Sequence, residues 1–387
     1  MRVLMMSSPT ASHFAAMSAL GQALRSAGHE VLGLGRPDMA AGPLAAGLGV
    51  VTRGREIDIN ARISAYLPEG IRPAQAFGRA MFGRIETGWD AWIIDDREVL
   101  PEYLEFAREW RPDLVVSEEV DFAGAVVAGA LGVPLVRHRW GVDPLSGPLT
   151  RLAAKLLGPM CRELGLPGLP EPDLILDPCP PGLQLPEAAP GRPMRYVPFN
   201  GAGVLPSWAR RTGGRRRVCV SLGNQTLRLN GAGLFRQVIA ACGRLPETEV
   251  LVTIGQRDRK LVGEAPANVR YVDPTPLTLF LADCDLLVHH GGAGTSMTAT
   301  ALGVPQLVLP QIGDQFHHAE RLAAVGTALA LDDPRDQDDP DQVRQAVLEL
   351  LGDDRYPKAA SVLRDAAAGM PSPVALVPEL VELAAHS

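Results

Sequence analysis

Cysteine is scarce in this chain, and its distribution is uninformative as a scaffold. The five positions, Cys161, Cys179, Cys219, Cys242 and Cys284, are odd in number and follow no CxxC spacing. That pattern excludes a disulfide framework and a zinc knuckle, and reduced thiols fit a cytoplasmic protein. Positive charge is also lacking. With a formal charge of -7 at pH 7 and a pI near 5.7, the surface is not built to neutralise nucleic acid or anionic lipid. The one basic run, Arg210, Arg211, Arg215, Arg216 and Arg217, lies beside glycines and reads as a solvated linker. No segment reaches the roughly 18 uninterrupted apolar residues of a membrane span, and the apolar stretch within Met1–Met6 is too short for a secretory leader. Neither a nucleic acid nor a membrane is expected as a partner. Aromatic residues make up only 5%, yet Tyr66, Phe77, Phe82, Trp89 and Trp92 gather within residues 57 to 100. Core packing is the first explanation; an acceptor-binding flap is the second.

Apolar side chains are plentiful, at 46% against 21% charged, so a large core is available. A chain of 387 residues exceeds what one core usually organises, and two domains are expected. Val3 to Met6 reads as a strand. Phe14, Met17, Leu20 and Leu24 then recur at helical spacing, Gly28 ends the helix, and Val31 to Leu34 resumes strand character. This β-α-β pattern implies a parallel sheet. It returns at Leu114 to Val116, at the small-residue helix Phe122 to Leu131, and at Leu135-Val136 after the Gly132-Val-Pro134 break. The proline-rich passage from Pro167 to Pro206 reads as an interdomain connection. A second α/β series follows, with strands at 218–220, 250–254, 286–288 and 307–309. The domains are therefore set at residues 1–200 and 201–387. The break Pro371-Ser-Pro373 leaves the last helix free to pack back on the first domain.

Ligands of open α/β sheets bind beyond the carboxyl ends of strands. The strongest candidate there is His289-His-Gly-Gly-Ala-Gly-Thr295, followed by a helix and Gly303-Val-Pro305. Its glycines let backbone approach a ligand, and free N–H groups at a helix start favour a diphosphate. The loop lacks the lysine of a P-loop and does not follow the first strand as a dinucleotide fingerprint would. A tight turn with close helix packing is the plain structural alternative, and only the surroundings separate the two.

Those surroundings resemble the nucleotide-sugar glycosyltransferases of GT-B fold that decorate macrolide, aromatic polyketide and other natural products in actinomycete-like bacteria. The resemblance rests on His289 to Thr295, Gly303-Val-Pro-Gln306, Pro310, Asp314-Gln315 and Ala319-Glu-Arg321 in the second half. In the first half it rests on His13, Ala27-Gly-His29 and the block from Arg111-Pro-Asp113 to Gly132-Val-Pro134. It implies two Rossmann-like domains facing across a cleft, the first for the acceptor and the second for the donor. It also implies that His290, Gly292, Ala293, Gly294 and Thr295 hold the donor phosphates, bordered by Ser221, Gly223 and Asn224. Asp314 and Gln315 would face the sugar hydroxyls, and His13 would be the general base. Glu118 is the chosen orienting carboxylate, with Glu119 and Asp121 as alternatives. Asp is common in the family at this place.

Other departures stand out. Where the family stacks an aromatic ring on the donor base, this chain has Asp273-Pro-Thr-Pro276, so Pro274 and Thr275 are the candidates there. His318 replaces a common Asn. Asp143 is either a second carboxylate acting on the acceptor or a loop cap. His289, His290, His317 and His318 lack a metal-ligand spacing, and Asp283-Cys-Asp285 precedes its strand, as a turn would. The resemblance implies inverting, metal-independent transfer of a sugar, often a dTDP-deoxysugar, to a small hydrophobic aglycone. No cofactor is expected beyond the nucleotide-sugar co-substrate. A homodimer is left open. The rivals are a nucleotide-sugar 2-epimerase, which needs no acceptor, and a catalytically silent partner protein that binds sugar nucleotide.

Overall fold

A computed structural model describes residues 1–79, 89–210 and 213–386 of the chain. Phe82 and Arg211 lie outside the described residues, as does the side chain of Trp89.

The first sheet collects β1 (Arg2–Met6), β2 (Glu30–Gly35), β3 (Gly49–Thr52), β4 (Leu114–Glu118), β5 (Leu135–His138), β6 (Leu174–Asp177) and β7 (Arg192–Pro193). Their order is β3-β2-β1-β4-β5-β6-β7, and the strand pairs are parallel. Helices α1 (Ala11–Ser26), α2 (Trp89–Trp110), α3 (Ala123–Leu131) and α4 (Ser146–Glu163) cover the two faces. Such strands are buried on both sides and need no alternation, and all five residues of β4 are buried.

The second sheet repeats the plan with β8 (Arg216–Ser221), β9 (Thr248–Thr253), β10 (Val269–Val272), β11 (Leu286–His289), β12 (Gln306–Val308) and β13 (Ala328–Ala330). Its order is β10-β9-β8-β11-β12-β13, again parallel. The helices here are α5 (Ala232–Cys242), α6 (Ala293–Leu302), α7 (Gln315–Ala324), α8 (Pro340–Gly352) and α9 (Arg355–Ala368). The two Gly-Val-Pro breaks act alike. Gly132 (φ 67°) and Gly303 (φ 71°) adopt the left-handed conformation just past α3 and α6, as helix-ending glycines do. The proline then bars continuation of the helix.

Three sequence expectations change. The proline-rich passage is not solely a connection, because β6 and β7 arise within it and extend the first sheet. Arg217 is no solvated linker residue: it is buried in β8, its guanidinium 2.8 Å from the Glu249 carboxylate, and it donates to the Ala209 carbonyl. The aromatic group is divided. Trp92 joins the first domain's core with Ile93, Leu100 and Tyr103, whereas Tyr66 is 62% exposed.

The final helix, α10 (Pro373–Ala385), starts at a Ser372 cap whose hydroxyl accepts the Ala375 N–H. Leu376, Val377 and Leu380 enter the first domain's core beside Phe14, Met17 and Leu20 of α1. Arg192 fixes its flank through Glu379 at 2.9 Å. A leucine-to-alanine change in a closed core costs about 2–5 kcal/mol. Leu380→Ala should therefore lower the unfolding free energy by about that amount in denaturant titration, whereas the partly exposed neighbour Val381, changed to alanine, should stay within roughly 0.5 kcal/mol of wild type.

Candidate active site

Each sheet reverses its strand order once, between β1 and β4 in the first and between β8 and β11 in the second. A crevice opens at such a point because the flanking connections leave toward opposite faces. Met6 pairs with Ser117 across β1 and β4, so the loop after β1 and the end of β4 meet at the first crevice.

His13 lies in the first turn of α1, and Glu118 is the last residue of β4. His13 Nδ1 is 3.5 Å from Glu118 Oε1 and 2.6 Å from Ser8 Oγ. Glu118 also accepts the Ser8 N–H at 3.2 Å and the Val120 N–H at 2.8 Å. Burial by itself would raise this carboxyl's pKa. The hydrogen bond and charge of His13, with the Ser8 and Val120 donors, outweigh that and hold it below the usual range. With Nδ1 engaged by Ser8 and Glu118, Nε2 is the ring nitrogen left for a substrate. Trp140 packs 4.1 Å from the imidazole centroid and Trp92 6.1 Å, which gives the site an apolar wall.

The neighbouring acids are engaged elsewhere. Glu119 accepts the Trp140 N–H at 3.2 Å, and burial together with the Asp143 and Glu118 charges pushes its pKa well up. Asp121 accepts the Gly124 N–H at the start of α3 and is pushed up to about 7 by burial and Glu118. Asp143 requires a correction as a second carboxylate. It is buried, pairs with Arg139 at 2.8 Å, and accepts the Leu145 and Ser146 N–H groups ahead of α4. Its oxygens are filled by the loop they cap. Two residues at this crevice were not singled out from sequence. Ser8 could have been suspected as a hydroxyl in the loop between β1 and α1; Trp140 carries no local signal, because only the fold brings it to His13.

At the second crevice Ser221 and His289 are partners across β8 and β11. Gly223 (φ 79°) precedes the short helical turn opened by Asn224. The His290 ring lies between two glycines: a Cβ on Gly223 would stand 2.8 Å from it, and one on Gly292 2.5 Å. Burial lowers His290 to about 4 despite a hydrogen bond to the Ser221 backbone, so the ring is neutral at pH 7. Helix α6 begins at Ala293 with no side-chain cap on Gly292. Its first-turn N–H groups, at Ala293 and Gly294 beside the half-exposed Thr295, form the kind of anion cradle that a helix N-terminus provides. His289, by contrast, is fully buried and accepts the Gly291 N–H at 3.1 Å; its burial lowers its pKa to about 3.

Pro274 is exposed in the loop after β10, and Thr275 donates to the Asp273 carbonyl at 2.8 Å. Arg259 anchors that loop through Asp273 at 2.9 Å. Asp314 stands at the N-cap position of α7, where its side chain makes no capping hydrogen bond and is 24% exposed. Burial pushes it up to about 6, against the pull of the His13 charge from the facing domain. Gln315 does not present its amide oxygen beside it: that oxygen accepts the Gln311 and Ile312 N–H groups at 2.9 and 3.2 Å. His318 is a packing residue, its ring 2.5 Å from where a Cβ on Gly141 would stand, and burial lowers it to about 3. Among the described residues no three His, Cys, Asp or Glu side chains are placed to hold a metal ion. Asp285 accepts the Arg217 N–H at 2.7 Å just before β11, a turn contact.

The crevices adjoin. Helix α1 touches α6 across the interface, Ala293 packs on the first domain's core, and Tyr196 donates to the Gly294 carbonyl at 3.4 Å. Two parallel sheets whose switch points share one interface, with a His–Glu pair on one side and an uncapped helix start on the other, define a glycosyltransferase of GT-B fold. More narrowly, the chain belongs to the family of erythromycin biosynthesis protein CIII-like proteins, whose N-terminal domain matches residues 22–223 and whose C-terminal domain matches residues 236–383. It is 36% identical to the L-demethylnoviosyl transferase of Streptomyces niveus, over 96% of each chain. It is 32% identical to the 10-deoxymethynolide desosaminyltransferase of Streptomyces venezuelae, over 100% of this chain and 98% of that one. Its structure matches spinosyn rhamnosyltransferase SpnG with a TM-score of 0.87 at 39% identity, over 98% of this chain and 100% of SpnG. No helix among the described residues is long and apolar enough to cross a membrane.

The raised pKa of Asp314 carries a sign. Between the ordinary aspartate value and about 6, the folded protein holds a proton that the unfolded chain has released, so stability falls as pH rises through that window. The wild-type minus Asp314→Asn difference in unfolding free energy should become more unfavourable from about pH 4 to pH 6 and flatten above that. Parallel pH curves in denaturant titration would contradict this.

Proposed function

We propose that the protein transfers a sugar from a nucleoside diphosphate, a dTDP-deoxysugar, to a small hydrophobic aglycone with inversion at the anomeric carbon. The observation that carries this reading is the His13–Ser8–Glu118 array beside the uncapped start of α6. Glu118, ionised and buried, orients the imidazole through Nδ1 and stabilises the cation formed when Nε2 takes the acceptor's proton. The acceptor, held against Trp140 and Trp92, attacks the anomeric carbon, and the diphosphate departs toward the N–H groups of α6. Those dipoles are fixed before reaction, where electrostatic preorganisation acts on the developing charge. One displacement from the face opposite the leaving group gives inversion. Asp314 is the group proposed for the sugar hydroxyls, and Pro274 and Thr275 border the base.

Support for a thymidine donor comes from relatives: SpnG has been solved complexed with thymidine diphosphate and with spinosyn aglycone, and VinC in complex with dTDP. The cradle neutralises the diphosphate through N–H groups without clustered carboxylates, so the reaction needs no metal. Chelation should leave the rate unchanged, and a strict magnesium requirement would count against the cradle.

The decisive test separates donor binding from proton removal. His13→Ala should keep the wild-type affinity for dTDP and lose about 10²–10⁴-fold in transfer rate, with a smaller loss for acidic phenols that are already ionised. Ser8→Ala and Glu118→Gln should show weaker defects with the same dependence on acceptor acidity. Rates across phenols of graded pKa check this. Equal losses for all acceptors would remove His13 as the base, and sugar-nucleotide turnover without any acceptor would favour a 2-epimerase.

A further inference from the structure

The loop that carries Asp314 is not held by the donor domain alone. Arg72 comes from the acceptor domain, yet its side chain is only 4% exposed and its guanidinium is directed at donor-domain oxygens. It donates to Gln311 Oε1 at 2.9 Å, to the two Asp338 oxygens at 2.7 and 2.9 Å, to the Pro334 carbonyl at 3.3 Å and to Gln337 Oε1 at 3.0 Å. Gln311 and Gln337 complete the network: Gln311 donates to Gln337 Oε1 at 2.8 Å and to the Leu309 carbonyl, and Gln337 to the Pro310 and Leu331 carbonyls. Gln315 then ties the Gln311 and Ile312 N–H groups to the first turn of α7, next to Asp314. Two outer contacts hold the same acceptor-domain segment in place. Asn230 donates to the Ile71 carbonyl at 2.9 Å, and Arg79 pairs with Glu320 and Asp332, each at 2.7 Å.

We propose that Arg72 is a positioning residue that sets the 310–315 loop, and with it Asp314, for the donor sugar once the domains are together. A planar fork with five donors suits acceptors spread over four residues, and lysine, with one nitrogen, does not. Removing the guanidinium takes the ion-pair partner from the half-buried Asp338 and leaves the buried Gln311 and Gln337 without their shared donor, where polar groups must find partners by moving. The loop is the part free to move, whereas the start of α6 is fixed independently through β11. The effect therefore falls on the sugar and not on the diphosphate.

The inference rests on Asp314 facing the sugar, so its test reads the sugar apart from the nucleotide. Arg72→Met and Asp338→Asn should raise the KM for the dTDP-sugar about ten-fold, with kcat within about two-fold. The inhibition constant for dTDP should stay at its wild-type value even where the melting temperature falls, and Arg72→Lys should not restore the KM. Hydrogen exchange should quicken at the Gln311 and Ile312 amides but not across residues 293–299. If Arg72→Met does not fold, Asp338→Asn gives the same readings. A fall in melting temperature with equal loss of dTDP and dTDP-sugar binding would mean a merely structural ion pair, and unchanged KM and exchange would mean no role; either result overturns the proposal. Wild-type protein that bound neither ligand would bring down the donor-site reading, and this inference with it.

Discussion

The strand-order reversal in each parallel sheet is the constraint on which the rest of this molecule depends. A parallel sheet sends every connection over one face or the other, and only where neighbouring strands send theirs to opposite faces does a crevice open above the strand ends. In both sheets that place lies beside the first strand of the domain. His13 and Glu118 flank one reversal, and Ser221, Gly223 and His290 flank the other. The groups proposed as base and as anion cradle thus come from strand ends and the helix starts that follow them, held by strands whose burial makes them rigid.

Burial then sorts the titratable groups by what surrounds them. Glu118 stays ionised because three donors point at it, whereas Glu119 and Asp121, a few residues on, are driven toward their neutral forms by burial and by the charge of Glu118 itself. One negative charge behind the His13 imidazole is compatible with an apolar wall of two indoles; three would repel one another. The histidines of the donor side are sorted the same way. Burial keeps His289, His290 and His318 neutral, the last with the Asp314 carboxylate 3.6 Å from its Nε2; the His290 ring packs between Gly223 and Gly292, and His318 on Gly141.

The two halves are joined by more than their linker. Helix α10 carries the chain's last apolar face into the first domain's core, Arg192 pairs with Glu379 on it and the Arg195 N–H donates to the Pro371 carbonyl just before it, and Gly141 receives the His318 ring. The polar counterpart is Arg72 at the loop before α7. These contacts bring groups from residues 8 to 140 to face groups from residues 221 to 315, which neither domain could do by itself.

Much of this was legible in sequence. Apolar runs broken by glycine and proline marked β1, β4, β8 and β11 and the helices after them, because strands buried on both faces require unbroken apolar residues. Gly291, Gly292 and Gly294 marked the proposed cradle, because only glycine lets backbone pass so close to its neighbours. Strand character inside the proline-rich passage was hidden, since β6 and β7 are short and β7, which holds Pro193, is the sheet's edge strand, where proline is tolerated. What the sequence could not decide was which polar groups were free. Asp143 and Gln315 have the right chemistry in the right loops, but the packed structure fills their oxygens with N–H groups from the very turns they cap. Ser8, Trp140 and Arg72 gain their places only through contacts between segments far apart in the chain. Local pattern determines elements and their order, because periodicity and turn chemistry are properties of neighbours along the chain; the partner that a side chain finally takes is a property of neighbours in space.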